Sequence, residues 1–171
     1  NMSGKSTFLR AVGVNAVLAG TIQTCRAVQW GAPPFRVRTF IGRSDSLQDG
    51  TSYFMAEIKA VQELLAASEH GVPTLFIIDE LFRGTNTVER IAAGRAVLEA
   101  LDGGSSVVLV ATHDMELQQF LSASFDSWHF AERVVDGRLV FDHRLREGPV
   151  TTRNAIALLR QAGVAAAIVQ R

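Results

Sequence analysis

Leu75-Phe76-Ile77-Ile78-Asp79-Glu80 sets four consecutive apolar residues between Pro73 and an acidic pair. An unbroken apolar run of this length predicts a strand buried on both faces, which requires helices on either side of a largely parallel sheet. Downstream, Val88, Ile91, Ala92, Leu98 and Leu101 share one side of a predicted helix that ends at Gly103-Gly104. Residues 107–111 then read as a second buried strand, closed by Thr112-His113-Asp114. Upstream, a helix is predicted over about residues 52–67, with Phe54, Ile58, Val61 and Leu65 inward. Residues 36–41 read as a half-buried strand. A first helix follows Lys5, with Leu9, Val12, Ala16 and Ala19 at spacings of three and four and a stop near Gly20. Two late strands, near 128–135 and 138–144, flank the tight-turn pair Asp136-Gly137 and suggest an antiparallel edge. Strands alternating with helices imply an α/β layered domain. Its expected extent is residues 1–148. Residues 149–171 form a tail of two short helices broken at Gly163.

The 171 residues suit one domain of ordinary size. An apolar share of 47% against 20% charged residues implies a full core and excludes disorder as the main state. Seventeen basic residues balance seventeen acidic ones, so the chain is a poor candidate for a self-sufficient nucleic-acid binder. A single cysteine, Cys25, excludes an internal disulfide and a cysteine-based zinc cage. It fits a reducing compartment, and a cytoplasmic location is expected. No apolar run approaches the roughly 20 residues of a membrane span, and no signal peptide is evident. The chain opens inside a motif, so further segments are expected upstream, and these residues do not say whether any of them enters a membrane.

That motif is Gly4-Lys5-Ser6, which matches the end of the phosphate-binding pattern G-x-x-x-x-G-K-[ST]. Backbone N–H groups at a helix start cradle phosphate oxygens, Lys5 would neutralise the β- and γ-phosphates, and the Ser6 hydroxyl would ligate Mg²⁺. An isolated Gly-Lys-Ser is more often a surface turn. The acidic pair about 75 residues later changes the balance, because strand C-termini of open α/β sheets are where ligands sit. Asp79 is placed to hold Mg²⁺ through water, and Glu80 to act as general base on the attacking water. His113, at the next strand end, could bond the γ-phosphate or be an ordinary polar turn residue. Residues 83–87, Arg-Gly-Thr-Asn-Thr, permit close approach of another backbone or simply cap a helix, with Thr87 as the cap. Residues 42–52 are polar and Gly-bounded and lead into a helix start that can receive an anion, or form a plain capped loop.

In this order the motifs resemble the ATPase domain of the MutS family of DNA mismatch repair proteins, an ABC-type branch of the P-loop ATPases. The resemblance rests on Asn1-Met2-Ser3-Gly4-Lys5-Ser6-Thr7, Gly42-Arg43-Ser44-Asp45, Gly50 through Glu57, Asp79-Glu80-Leu81-Phe82-Arg83-Gly84-Thr85-Asn86-Thr87 and Ala111-Thr112-His113. It covers essentially the whole chain, and Asp-Glu-Leu-x-Arg-Gly-Thr-x-Thr is its most specific part. The resemblance implies a P-loop fold and Mg²⁺-dependent ATP hydrolysis in a homodimer with composite sites. One subunit would supply Lys5, Ser6, Asp79, Glu80 and His113, and the other a signature loop containing Gly50 and Ser52. Asn1, Met2, Ser3, Gly4 and Thr7 would line the nucleotide, His129 would lie near adenine, and Asn86 near the partner's site. The tail would help dimerise; its Thr151-Thr152-Arg153-Asn154-Ala155-Ile156 is similar to smaller bacterial MutS-like proteins. Phe82 stands where the family usually has Gly, Asn86 where Ser is common, and Val88-Glu89-Arg90 replaces an acidic-Gly step. All lie where the resemblance puts the dimer interface. DNA would be held by regions outside this chain.

Rival readings remain at this point. Another ABC-type ATPase, a transporter or chromosome-maintenance motor, shares the phosphate loop and acidic pair, but no Leu-Ser-Gly-Gly-Gln string occurs here. A nucleotide-binding interaction module without hydrolysis would not need Glu80 and His113. A P-loop kinase would need an acceptor-binding lid, which is not evident.

Overall fold

The computed structural model describes residues 3–41, 53–68, 71–135 and 138–150. In chain order the elements are α1 (Lys5–Ile22), β1 (Arg36–Ile41), α2 (Tyr53–Ser68), β2 (Thr74–Asp79), α3 (Thr87–Leu101), β3 (Val107–Ala111), α4 (Met115–Phe120), β4 (Trp128–Val135) and β5 (Arg138–Glu147). They fall into two compact units, one spanning Ser6–Phe125 and one drawn from Asn1–Lys5 with Asp126–Arg171.

In the larger unit β2 is buried along its whole length, with Phe76, Ile77 and Ile78 fully inaccessible. Each such side chain contributes about 1.5–3 kcal/mol of hydrophobic stabilisation. The strand is central because it is apolar on both faces. It pairs in parallel with β1 on one side and β3 on the other. Its period of two sends Phe76 and Ile78 into one core, shared with Val61 and Leu64 of α2, Val97 and Leu98 of α3, and Leu117 of α4. Leu75 and Ile77 enter the opposite core, under Leu9 and Ala16 of α1. Gly13 allows that helix to lie close, since a Cβ there would come within 2.8 Å of Ile77 Cδ1. Buried Asn15 accepts a bond from the Arg26 N–H at 2.6 Å and so ties down the segment after α1.

Several expectations are corrected. On α2 the expected Val61 is buried and Ile58 and Leu65 pack partly buried against the same core, but the deepest side chains are Glu57, Ala60, Leu64 and Ala67 beside Val61; Phe54 is partly exposed and leans on the Phe82 ring. β3 is not buried like β2: of its five residues only Ala111 is buried, and among the described residues no strand pairs with its outer edge. The cap of α3 is Asn86, not Thr87: its side-chain oxygen accepts the Glu89 N–H at 3.0 Å, and Thr87 is the first helical residue. The short helix α4 had no sequence expectation, since six residues are too few to show a period.

The smaller unit contains the β4–β5 hairpin. Among the described residues these two strands pair only with each other, so the hairpin is a separate antiparallel sheet and not the edge of the parallel one. β5 runs three residues past its expected end at Arg144. The β4–β5 register shifts between Phe130 and Glu132 of β4, and His143, in the displaced stretch of β5, adopts φ +52°. The turn 136–137 and the tail from residue 151 lie outside the described residues. No described helix is long and apolar enough to cross a membrane.

Candidate functional site

The parallel register builds the site. Asp79 of β2 is paired with Ala111 of β3, so the residues after both strands emerge side by side. The Glu80 N–H continues the ladder to the Ala111 carbonyl at 3.0 Å. Glu80 then turns with φ +62°, a left-handed conformation uncommon for a residue with a Cβ. Its carboxylate is held from two sides. His113 Nε2 donates to Oε1 at 2.6 Å, and Arg83 Nε approaches Oε2 at 2.7 Å. Sequence reasoning paired Glu80 with His113 in function only; the register makes them neighbours in space.

Asp79 is 4% exposed. Ser6, at the start of α1 and itself buried, donates its hydroxyl to Asp79 Oδ2 at 2.5 Å, a contact spanning 73 residues of sequence. The other carboxylate oxygen, Oδ1, is buried without a hydrogen-bond partner. Leaving such an oxygen unsatisfied is costly, and a hard cation would relieve it. The donor set of one carboxylate and one hydroxyl suits Mg²⁺, which takes few protein ligands and completes its shell with water and phosphate oxygens. Among the described residues no cluster of three or more His, Cys, Asp or Glu could hold a metal by itself.

Gly4, just before α1, has φ +104°, and a Cβ there would lie 3.3 Å from His143 Nδ1 in the same unit. Lys5 opens the helix, and Ser3 lies in the turn before it; Thr7 is exposed. Asn1, Met2, Gly50 and Ser52 lie outside the described residues. His129 lies on β4, its Nδ1 2.8 Å from the Gly148 carbonyl. A carbonyl only accepts, so Nδ1 carries the proton and, in the neutral ring, Nε2 is left as an acceptor. Phe82, which the resemblance puts near a dimer interface, is 5% exposed and packs in the core with α2 and α3. Its φ of +56° is the conformation glycine adopts at no cost; burial of the ring offsets the strain.

A cavity of about 260 Å³ is lined by Glu80, Leu81, Arg83, Arg90, Thr112, His113 and Asp114. A larger groove of about 530 Å³ between β1 and α2 contains Arg36, Arg38 and Glu63 and lies apart from the acidic pair. Three side chains around the first cavity escaped the sequence reading. Arg90 and Asp114 form a bidentate pair, Nε to Oδ2 at 2.8 Å and Nη2 to Oδ1 at 2.6 Å, which joins α3 to the turn carrying His113. Asp114 therefore does not cap α4 with its side chain. Arg83, placed only in a small-residue loop, is the third. Outside the cavity, Glu57 was also missed, although its spacing from Val61 and Leu64 puts an acid on the inner face of a predicted helix, which was a readable signal.

The Arg90 guanidinium, by hydrogen bonding and charge, holds the Asp114 carboxyl below its ordinary value, and Asp114 holds Arg90 above its own. The sign follows. A carboxylate depressed in the folded state contributes stability that is present above about pH 4, its unfolded value. That contribution is lost as the pH falls through the lower folded value; the Arg90 shift acts only beyond the alkaline range. Arg90→Ala should cost about 1 kcal/mol at neutral pH, since solvent screens part of the pair. The gap from wild type should narrow below pH 4, as measured by urea unfolding at several pH values. An equal gap at pH 3 and pH 7 would contradict this.

The family described as MutS domain V matches residues 1–171. The chain is 34% identical over 172 residues to the DNA mismatch repair protein MutS of Thermus thermophilus, covering all of this chain and 21% of that protein. It is 35% identical over 175 residues to DNA mismatch repair protein MutS 2 of Haloarcula marismortui, again over the whole chain and 18% of the relative. Against MutS of Natronomonas pharaonis the figures are 36% over 176 residues, the whole chain and 20% of the relative. The chain thus spans about a fifth of the length of the curated relatives it matches.

Proposed function

The chain belongs to the MutS domain V family, and on that premise we propose that it binds and hydrolyses Mg²⁺-ATP as the motor domain of a MutS-like DNA mismatch repair protein. The observation that carries the proposal is the Ser6–Asp79 hydrogen bond. It joins Ser6, in the first turn of α1, to Asp79 at the acidic end of β2, which supports reading the two as partners at one Mg²⁺ site. Glu80 stands one residue beyond the paired end of β2, and His113 two beyond that of β3.

In this reading residues 1–7 form the end of a P-loop. Backbone N–H groups and Lys5 bind the phosphates, and Asn1 contributes from the loop. Ser6 and Asp79 would hold Mg²⁺, which when bound neutralises charge on the β- and γ-phosphates. Glu80 accepts a proton from the water that attacks in line, and His113, already bonded to Glu80, serves the γ-phosphate. His129, with Nε2 as an acceptor, serves the adenine amino group. Catalysis is positioning and charge stabilisation. The domain extends over 1–148, with 149–171 as a dimerising tail. Two subunits form a homodimer in which Gly50, Ser52 and the Asn86 region of one reach the nucleotide of the other. ATP closes that dimer, hydrolysis opens it, and the motion is transmitted to DNA-holding regions of the full protein. The cell compartment is the cytoplasm.

The test is phosphate release and nucleotide titration on the full-length protein. Lys5→Ala should weaken ATP affinity by at least about tenfold, the equivalent of one lost charge-assisted contact. Unaltered affinity in that variant would remove the phosphate-loop assignment.

A further inference from the structure

We propose that Glu57 is a positioning residue for the acidic pair: from α2 it fixes the turn after β2 so that Arg83 grips Glu80. This rests on the ATP-hydrolysis reading given above.

Glu57 is 1% exposed, deeper than any other charged side chain among the described residues. Its two oxygens accept from two successive backbone amides, Arg83 N–H at 3.1 Å and Gly84 N–H at 3.3 Å. A carboxylate in the interior is expensive, and an apolar residue of similar volume serves packing at least as well. What an apolar residue cannot do is select one path for a backbone. The path here needs selecting. Within three residues it carries two non-glycine left-handed conformations, at Glu80 and Phe82, which neither residue adopts on its own account. Glu57 holds the far end of that turn, and the β2–β3 ladder holds the near end through the Glu80 N–H. Arg83, whose amide Glu57 binds, places its guanidinium on Glu80 Oε2 at 2.7 Å and also reaches the Asp79 carbonyl at 3.4 Å. The chain of action is therefore Glu57 to the 83–84 amides, to the Arg83 side chain, to the orientation of Glu80. Both Glu57 carboxylate bonds go to the 83–84 turn, so its effect is expected on the orientation of Glu80 rather than on the Ser6–Asp79 contact.

The experiment compares full-length wild type, Glu57→Gln, Glu57→Leu, Arg83→Ala and the Glu57→Gln/Arg83→Ala double variant. Glu57→Gln keeps the volume and one acceptor oxygen. Its kcat should fall about three- to tenfold with ATP affinity within about twofold of wild type. Glu57→Leu, which keeps no acceptor, should fall further. In the Arg83→Ala background Glu57→Gln should cost nothing more, because both act on the same contact. Wild-type kcat in Glu57→Gln, an equal loss of affinity and kcat, or full additivity with Arg83→Ala would each overturn the proposal. If Glu57→Leu does not fold, Glu57→Gln and the double variant still decide. If the wild-type protein itself releases no phosphate, the ATPase reading fails. The positioning role is then decided by hydrogen exchange: the Arg83 or Gly84 amide should exchange at least about tenfold faster in Glu57→Gln, and wild-type protection would overturn it.

Discussion

Full-length Glu80→Gln protein is expected to bind ATP with near wild-type affinity and to release phosphate about 10²–10⁴ times more slowly. The substitution removes above all the acceptance of a proton from water. The replacement glutamine keeps the shape, the β2–β3 backbone bond and one acceptor oxygen. Its amide nitrogen cannot accept from Arg83 Nε or His113 Nε2, so one of the two contacts that hold Glu80 is lost as well. That contact is partly exposed on the Arg83 and His113 side, so the fold should tolerate its loss. Phosphate release under single-turnover conditions separates chemistry from product release. Turnover at the wild-type rate would end the assignment of Glu80 as general base.

Asp79→Asn should give the second large effect, on Mg²⁺ in place of proton transfer. The introduced asparagine can present its carbonyl oxygen to the Ser6 hydroxyl, so the bridge between α1 and β2 has a replacement acceptor. Its amide nitrogen then occupies the place of the buried, unpartnered Oδ1 and cannot approach a cation. The Mg²⁺ concentration needed for half-maximal hydrolysis should rise about 10–100-fold, the range typical when a partner of a metal's water shell is lost. Titration of hydrolysis with Mg²⁺ at saturating ATP measures it. An unchanged half-maximal concentration would show that Asp79 does not serve the metal.

Sequence reasoning succeeded where a residue's environment follows from its neighbours in the chain. Residues 75–78 had to be a doubly covered strand because no alternation offered a wet face, and β2 is buried throughout. β1 likewise fell on its expected span. It failed where environment is set by distant groups. Residues 107–111 look as apolar as 75–78, yet β3 lies at the outside of the described sheet, and strand order is not written in a strand's own composition. The residues around Phe82 also give no sign that its ring belongs to a core; the ring packs among residues of α2 and α3, a burial set by packing far along the chain. Thr87 and Asn86 are both good caps, and one residue of helix phase decided between them.

The sequence by itself determined the α/β layering and the presence of a Gly-Lys-Ser helix start, an acidic strand end and a strand-end histidine. These follow from hydrophobic period and side-chain chemistry, both local quantities. Only the tertiary structure decided that Ser6 bonds Asp79 across 73 residues, that Glu80 sits between His113 and Arg83, and that buried Glu57 holds the 83–84 amides. Those contacts depend on parallel register and on helix packing over a shared core. Both are fixed by the summed burial of many residues far apart in the chain, which no local pattern records.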